Sequence, residues 1–170
     1  VIAARAYAEF PHLWGEFEKV IADHPEWFAD PEKFGDEIVL RGTIVSLLPN
    51  LLVFRPIFLL SNFKDGLVSY QINPNKAADL EETFDDASKI YLTLQEVLEK
   101  TDPYFWNEEL QGMGRPNVVF KIAGCGPAAL KITELLNKMG IGTNNTVTYT
   151  VSQEVYLILA AIKGMATALK

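Results

Sequence analysis

Lys121 is an ionisable residue inside an otherwise apolar run, Val118-Val119-Phe120-Lys121-Ile122. A strand lysine more often sits at an edge, its stem on apolar surface and its ammonium in water. Here apolar residues on both sides, with helical patterns before and after, predict a covered strand. Desolvation there disfavours the ammonium relative to the nucleophilic neutral amine. Such an amine can attack a carbonyl carbon and form a Schiff base. Cys125, in the small-residue turn Gly124-Cys125-Gly126 before a helix, stands where a thiolate can be favoured. No histidine lies near it in sequence, and a structural cysteine is the better reading. That turn does not extend to a GxGxxG or Walker loop. His12, His24 and one cysteine leave no zinc set, so no metal site is expected. The acidic run Glu81, Glu82, Asp85 and Asp86 reads as the solvated face of a helix.

Elements must position these groups. Residues 67–73 read as a short strand after the turn signal Lys64-Asp65-Gly66, ended by Pro74 and Asn75. From Ala77 to Glu99, Leu80, Phe84, Ala87, Tyr91, Leu94 and Leu98 recur in steps of four and three, one face of an amphipathic helix. Residues 101–116 read as a loop and 117–123 as the next strand. Pro127 then suits the first turn of a helix whose buried side is Leu130, Leu135, Leu136 and Met139, and Gly140 stops it. Residues 144–151 read as a third strand. Ser152 is the expected N-cap of a last helix carrying Val155, Leu159, Ile162 and Met165. Upstream, residues 3–23 read as one helix, bent or restarted near Pro11. The aromatic segment 25–34 and the apolar stretches 37–48 and 51–60 follow, also read as helical. Trp14, Phe17, Trp27, Phe28 and Phe34 are expected in the core rather than on a base-stacking surface. The chain thus divides into 1–66, helical and without an assigned role, and 67–170, built of β/α units.

The alternation of strand and helix implies parallel strands and an α/β architecture. Strand side chains alternate between faces. One face carries Val68, Tyr70, Ile72, Val118, Phe120, Ile122, Val147, Tyr149 and Val151, as helices covering a sheet require. The other carries Ser69, Gln71 and Asn73, then Val119, Lys121 and Ala123, then Asn144, Thr146, Thr148 and Thr150. An open sheet covered on both sides is apolar on both faces, whereas a barrel with its site inside can be polar on the inner one. Parity therefore favours part of a (β/α) barrel in which Gln71, Lys121, Asn144 and Thr146 converge. For each of the three polar partners taken alone, a space-filling hydrogen-bonding residue is the better reading.

Composition sets the outer limits. The 170 residues, half of them apolar, suffice for one domain. Twenty-two acidic against 15 basic residues give a net charge of −7, which argues against nucleic acid or an anionic membrane surface as main partner. A single cysteine excludes an internal disulfide and points to a reducing compartment such as the cytoplasm. The chain opens Val-Ile-Ala-Ala-Arg-Ala, with neither an initiator methionine nor a signal-peptide pattern, so a fragment of a longer protein is the expectation. The most membrane-like stretch, 38–60, contains Arg41, Pro49, Arg55 and Pro56, and no transmembrane helix is expected.

From about Gly66 to its end the chain resembles the transaldolase family of class I aldolases. The resemblance rests on Val68-Ser69-Tyr70-Gln71-Ile72-Asn73-Pro74, on Asn117-Val118-Val119-Phe120-Lys121-Ile122-Ala123, and on Gly140-Ile141-Gly142-Thr143-Asn144-Asn145-Thr146-Val147-Thr148-Tyr149. These look like the third, fourth and fifth strands of the family's (β/α)8 barrel. The resemblance implies that Lys121 forms a Schiff base with a keto-sugar phosphate and that a dihydroxyacetone unit passes to an aldose phosphate, a transferase reaction of the pentose phosphate pathway needing no cofactor. Thr146 and Asn144 match the family's water- and substrate-positioning residues, and Asn73 and Ser69 join the substrate-binding set. Where the family carries a glutamate that works with water in proton transfer, this chain has Gln71, an amide that does neither at ordinary pH. Gly124-Cys125-Gly126 stands where the family usually has hydroxyl residues. The sixth strand and the arginines that hold the substrate phosphate are not matched, nor are the family's opening strands in residues 1–66. A complete barrel takes about 200 residues or more, so the expected fold is a partial or rearranged barrel with a mainly helical N-terminal segment. The alternative function is a catalytically inactive transaldolase-like domain serving in binding or assembly. The cover expected for its sheet edge is its own N-terminal helices, a second copy or the missing part of the barrel.

Overall fold

In a computed structural model that describes residues 2–104 and 114–169, the apolar strand around Lys121 is the centre of a three-stranded parallel sheet. Along the chain the elements are α1 (Ile2–Glu9), α2 (His12–Ala22), α3 (Glu26–Ala29), α4 (Pro31–Leu60), β1 (Val68–Gln71), α5 (Leu80–Thr101), β2 (Val118–Ala123), α6 (Pro127–Lys138), β3 (Gly142–Thr146) and α7 (Val151–Ala168). The strand order is β1-β2-β3, and both pairings are parallel. The described structure is thus a partial α/β fold, mostly helical. It resolves into two compact units, Val1–Arg55 and Pro56–Lys170, divided within α4.

In the first unit the helix restarts at Pro11 as α2, because proline supplies no amide to continue α1. Tyr7, Leu13 and Phe17 form a small core with Ile38 and Val45 of α4 against it. The Tyr7 hydroxyl donates to the Gly42 carbonyl at 2.8 Å, which gives its buried polar end a partner. Burial also pushes the Tyr7 phenol above its ordinary pKa. Of the aromatic residues expected inside, Phe17 and Trp27 are buried and Phe34 is half-buried. Trp14 and Phe28 are instead 53% and 65% exposed, since each faces outward on its short helix.

The two apolar stretches 37–48 and 51–60 are one unbroken helix, through both Pro49 and Pro56. Each proline removes one intrahelical hydrogen bond, yet neither breaks α4. Arg55, expected to mark the stretch as unsuited to a bilayer, is fully buried. By length and composition α4 is long and apolar enough to cross a membrane, a test that a soluble core helix also passes.

In the second unit one face of the sheet is dry. Tyr70, Ile72, Val118, Phe120 and Ile122 are each less than 5% exposed, and side chains of α5 and α6 complete that layer. Burying aliphatic and aromatic side chains of this size contributes about 1.5–3 kcal/mol each. Asp79 caps α5 by accepting the Glu82 amide at 3.0 Å, so the helix starts at Leu80 rather than Ala77. Its buried stripe is Thr83, Ala87, Ile90, Leu94 and Leu98, with Leu80, Phe84 and Tyr91 on the flank. On α6 the buried side is Ala129, Ile132, Thr133 and Leu136, while Met139 is 55% exposed. Both stripes are rotated from the expected ones, with threonines among the buried residues of each.

The third strand is shorter and earlier than expected. Val147 has φ +65°, which turns the chain out of extended conformation directly after Thr146. Val147, Tyr149 and Val151 accordingly lie in solvent, at 50%, 83% and 77% exposure, rather than on the covered face. Thr150, not Ser152, caps α7: its hydroxyl accepts the Gln153 amide, and the Gln153 side chain returns to the Thr150 amide. Of the expected loop 101–116, Thr101 instead closes α5 and Asp102–Tyr104 form a short 3-10 turn, while 105–113 lie outside the described residues.

Helix α7 turns Leu157 and Gly164 inward, and Val155, Leu159, Ile162 and Met165 are about half exposed. A Cβ at Gly164 would meet the Glu134 carbonyl oxygen and lie 3.0 Å from the Lys138 nitrogen. Glycine here sets how closely α7 approaches α6. Gly164→Ala is therefore expected to destabilise the protein by about 1–3 kcal/mol, read as a lowered midpoint in thermal or urea unfolding. The same helix pair shares an ion cluster: Glu134 accepts from Lys163 at 3.0 Å and from Lys131 at 3.2 Å. Lys163, then Lys131, holds the Glu134 carboxyl below the usual carboxylate range. A lowered carboxyl pKa stabilises the fold above the unfolded-state value and ceases to do so as pH falls through the folded-state value. Glu134→Gln should accordingly be less stable than the parent near neutral pH and indistinguishable from it in strong acid, as followed by urea unfolding at each pH.

Candidate active site

Parallel pairing places Gln71 beside Lys121 and Lys121 beside Asn144. Adjacent strands are about 4.8 Å apart, so the three residues form a row with the lysine in the middle. One step toward the amino ends, Ser69 pairs with Val119; two residues beyond Lys121, Ala123 pairs with Thr146. All these residues share the face opposite Tyr70, Phe120 and Ile122, as the period of two requires. Exposure follows the same division, with Ser69, Gln71 and Asn144 exposed and Lys121 and Thr146 half-buried.

Short-range contacts orient the row. The Gln71 side-chain amide donates to the carbonyls of Ile72 at 2.9 Å and of Lys121 at 3.0 Å. Both of its N–H groups are thus turned to backbone at the carboxyl ends of β1 and β2. The Asn144 amide reaches across β2 to the Ser69 hydroxyl in a long contact of 3.5 Å. Thr146 donates to the Ile122 carbonyl at 3.3 Å. Among the described residues no hydrogen bond or ion pair engages the Lys121 amine. The row therefore presents an unengaged primary amine between amide and hydroxyl groups, a set able to attack a carbonyl and to hydrogen-bond a polyol.

Asn73 stands apart from the row. It lies beyond the end of β1, where its side-chain oxygen accepts the Asn75 amide at 3.1 Å and caps the short turn Pro74–Lys76. Its own amide donates to Asp86 at 3.0 Å, and Lys76 lies 4.0 Å from the same carboxylate. Asp86 is thus not simply a solvated helix residue: from the second turn of α5 it fixes the chain leaving β1. The signal was an acid just inside a helix that follows an Asn-Pro turn. Cys125 is a half-buried free thiol, and Gly124 before it has φ +89°, a conformation that favours glycine. The Gly124 amide donates to the Thr146 carbonyl at 2.8 Å, tying the turn after β2 to the end of β3.

A cleft of about 250 Å³ opens elsewhere, at the amino ends of the strands, with Phe63, Leu67, Arg115, Ile141 and Met165 among its walls. Parallel α/β sheets place their chemistry at the carboxyl ends. There the crevice beside Gln71, Asn73 and Ala123 holds only about 10 Å³, room for no more than one water. The row is an open face rather than a cavity.

Known proteins match both the motifs and the residues around them. The family model described as transaldolase/fructose-6-phosphate aldolase matches residues 18–168, so the likeness reaches well upstream of Gly66, where the strand motifs begin. A transaldolase 2 of Nostoc sp. is 30% identical over 155 residues, covering 88% of this chain and 35% of the relative. A transaldolase 2 of Nostoc punctiforme is 28% identical over 159 residues, with the same shares covered. The chain spans about a third of the length of these curated relatives. Strand motifs, parallel β/α order and the extent of the match agree: the chain belongs to the transaldolase/fructose-6-phosphate aldolase family.

Proposed function

We propose that the chain carries the Schiff-base portion of a transaldolase-type (β/α)8 barrel, its β1, β2 and β3 being the barrel's third, fourth and fifth strands. Lys121 is the nucleophile: its neutral amine adds to the carbonyl carbon of a keto-sugar phosphate, and loss of water gives the imine. Carbon–carbon cleavage then leaves a dihydroxyacetone unit for transfer to an aldose phosphate, a cytoplasmic step of the pentose phosphate pathway without a cofactor. Asn144, Ser69 and Asn73 bind substrate hydroxyls, and Thr146 orients water. The single observation that carries this reading is the row Gln71, Lys121, Asn144, held in register across three parallel strands with the amine unengaged. The remaining strands and the phosphate-binding groups come from the rest of the barrel or from a second chain.

Gln71 favours a second reading, an inactive family member used in binding or assembly. Its amide is committed to two backbone carbonyls and supplies no proton. The two readings separate at the imine, because forming it needs the amine, whereas turnover also needs proton transfer.

Incubation with fructose 6-phosphate and borohydride, followed by peptide mass mapping, is expected to place a reduced adduct on Lys121 and to lose it in Lys121→Met. An unmodified Lys121, while a known lysine aldolase is trapped in parallel, overturns the enzyme reading. Gln71→Glu turns carboxylate oxygens toward two carbonyl oxygens, so the variant is expected to lose about 1 kcal/mol near neutral pH. The deficit should therefore narrow as pH falls and the carboxyl regains a donor, which thermal unfolding across pH measures directly.

A further inference from the structure

Strand β3, Gly142-Thr143-Asn144-Asn145-Thr146, carries no aliphatic or aromatic side chain and lies at the edge of the described sheet. An edge strand polar on both faces has little to specify its register, and a slip of one residue would exchange its faces. Asn144 and Thr146 would then turn away from Lys121. On the helix side of β3, Thr143 pairs with Phe120 and Asn145 with Ile122, both buried. Polar groups in that layer need partners.

Helix α6 supplies them. The Asn145 amide donates to the Thr133 hydroxyl at 2.8 Å, and that hydroxyl donates to the Ala129 carbonyl at 2.7 Å. With its proton committed to Ala129, the Thr133 oxygen acts toward Asn145 as an acceptor. The Asn137 amide donates to the Thr133 carbonyl at 2.9 Å and to the Thr143 hydroxyl at 3.0 Å. Thr133 is 1% exposed, so this bond is shielded from water. The spacings match. Four residues of helix rise about 6 Å and two residues of strand about 6.6 Å, so Thr133 and Asn137 meet Asn145 and Thr143 in antiparallel order. Gly142 closes the amino end of the strand: a Cβ there would lie 2.9 Å from the Val119 side chain.

We infer that Thr133, Asn137, Thr143 and Asn145 form a polar clamp that fixes the register of β3 in place of hydrophobic burial, and that the clamp thereby holds Asn144 and Thr146 beside Lys121. These four are positioning residues. The role of Asn144 and Thr146 toward substrate rests on the aldolase reading of Lys121, whereas the register does not.

Hydrogen–deuterium exchange on the full chain separates the two. Thr133→Val keeps the volume and removes the acceptor. It is expected to speed exchange in residues 142–146 roughly fivefold, the effect of losing the one side-chain hydrogen bond by which Thr133 holds the strand, with β2 unchanged. Thr133→Ser should restore the parent rate. Asn145→Ala removes the same bond from the strand side, leaves the Thr133–Ala129 bond in place, and should reproduce the local effect. Parent-like exchange in both Thr133→Val and Asn145→Ala, or an equal rise across β2, overturns the clamp. Where the parent is trapped by fructose 6-phosphate and borohydride, Thr133→Val should need several-fold more sugar for half-maximal trapping. Reductive methylation of Lys121 by formaldehyde should proceed at the parent rate. Unchanged sugar dependence overturns the positioning role. A parent that is not trapped at all overturns the aldolase reading instead, and the exchange data alone then decide the register.

Discussion

Backbone hydrogen bonds between β2 and its two parallel neighbours decide where every polar group of the site lies. Because strand side chains alternate with a period of two, the pairings Gln71 with Lys121 and Lys121 with Asn144 suffice to line up three chemically different groups on one face. They also send Tyr70, Phe120 and Ile122 to the other face. Burial of that apolar set resists any slip of β1 or β2, since a shift by one residue would place Lys121 against the helices. The hydrophobic core and the polar row are two consequences of one register.

The same constraint explains what was legible before any coordinates. Parity on β1 and β2 needs only the residue order, and the buried and exposed positions there follow it. The identity of the nucleophile candidate and its neighbours was likewise readable. Helix faces were less so. On α5 and α6, threonines that bond to their own helix backbone sit in the buried stripes, and an apolar-only pattern rotates past them. The end of β3 was hidden because nothing in a β-branched residue announces a left-handed conformation, yet Val147 adopts one. The stretches 37–48 and 51–60 were read as separate on either side of Pro49, whereas they belong to one continuous helix. The ties that Asp86 and Asn145 make depend on which residues the fold brings near them, which composition and periodicity do not encode.

Family membership and chemistry come apart at Gln71. Lys121 and Asn144 lie side by side in register, and next to them the amide at Gln71 is spent on backbone carbonyls and has no proton to exchange at ordinary pH. The matched relatives are about three times longer than this chain, so its three strands correspond to only part of such a protein.

The central claim is that the amine at the middle of the row is the atom that bonds substrate. Nuclear magnetic resonance on protein carrying 15N-lysine, mixed with fructose 6-phosphate labelled with 13C at its carbonyl carbon, observes that bond directly. A one-bond carbon–nitrogen coupling that vanishes in Lys121→Met is the predicted result. A coupling that survives in Lys121→Met, or its absence from the parent at saturating sugar, would contradict the account.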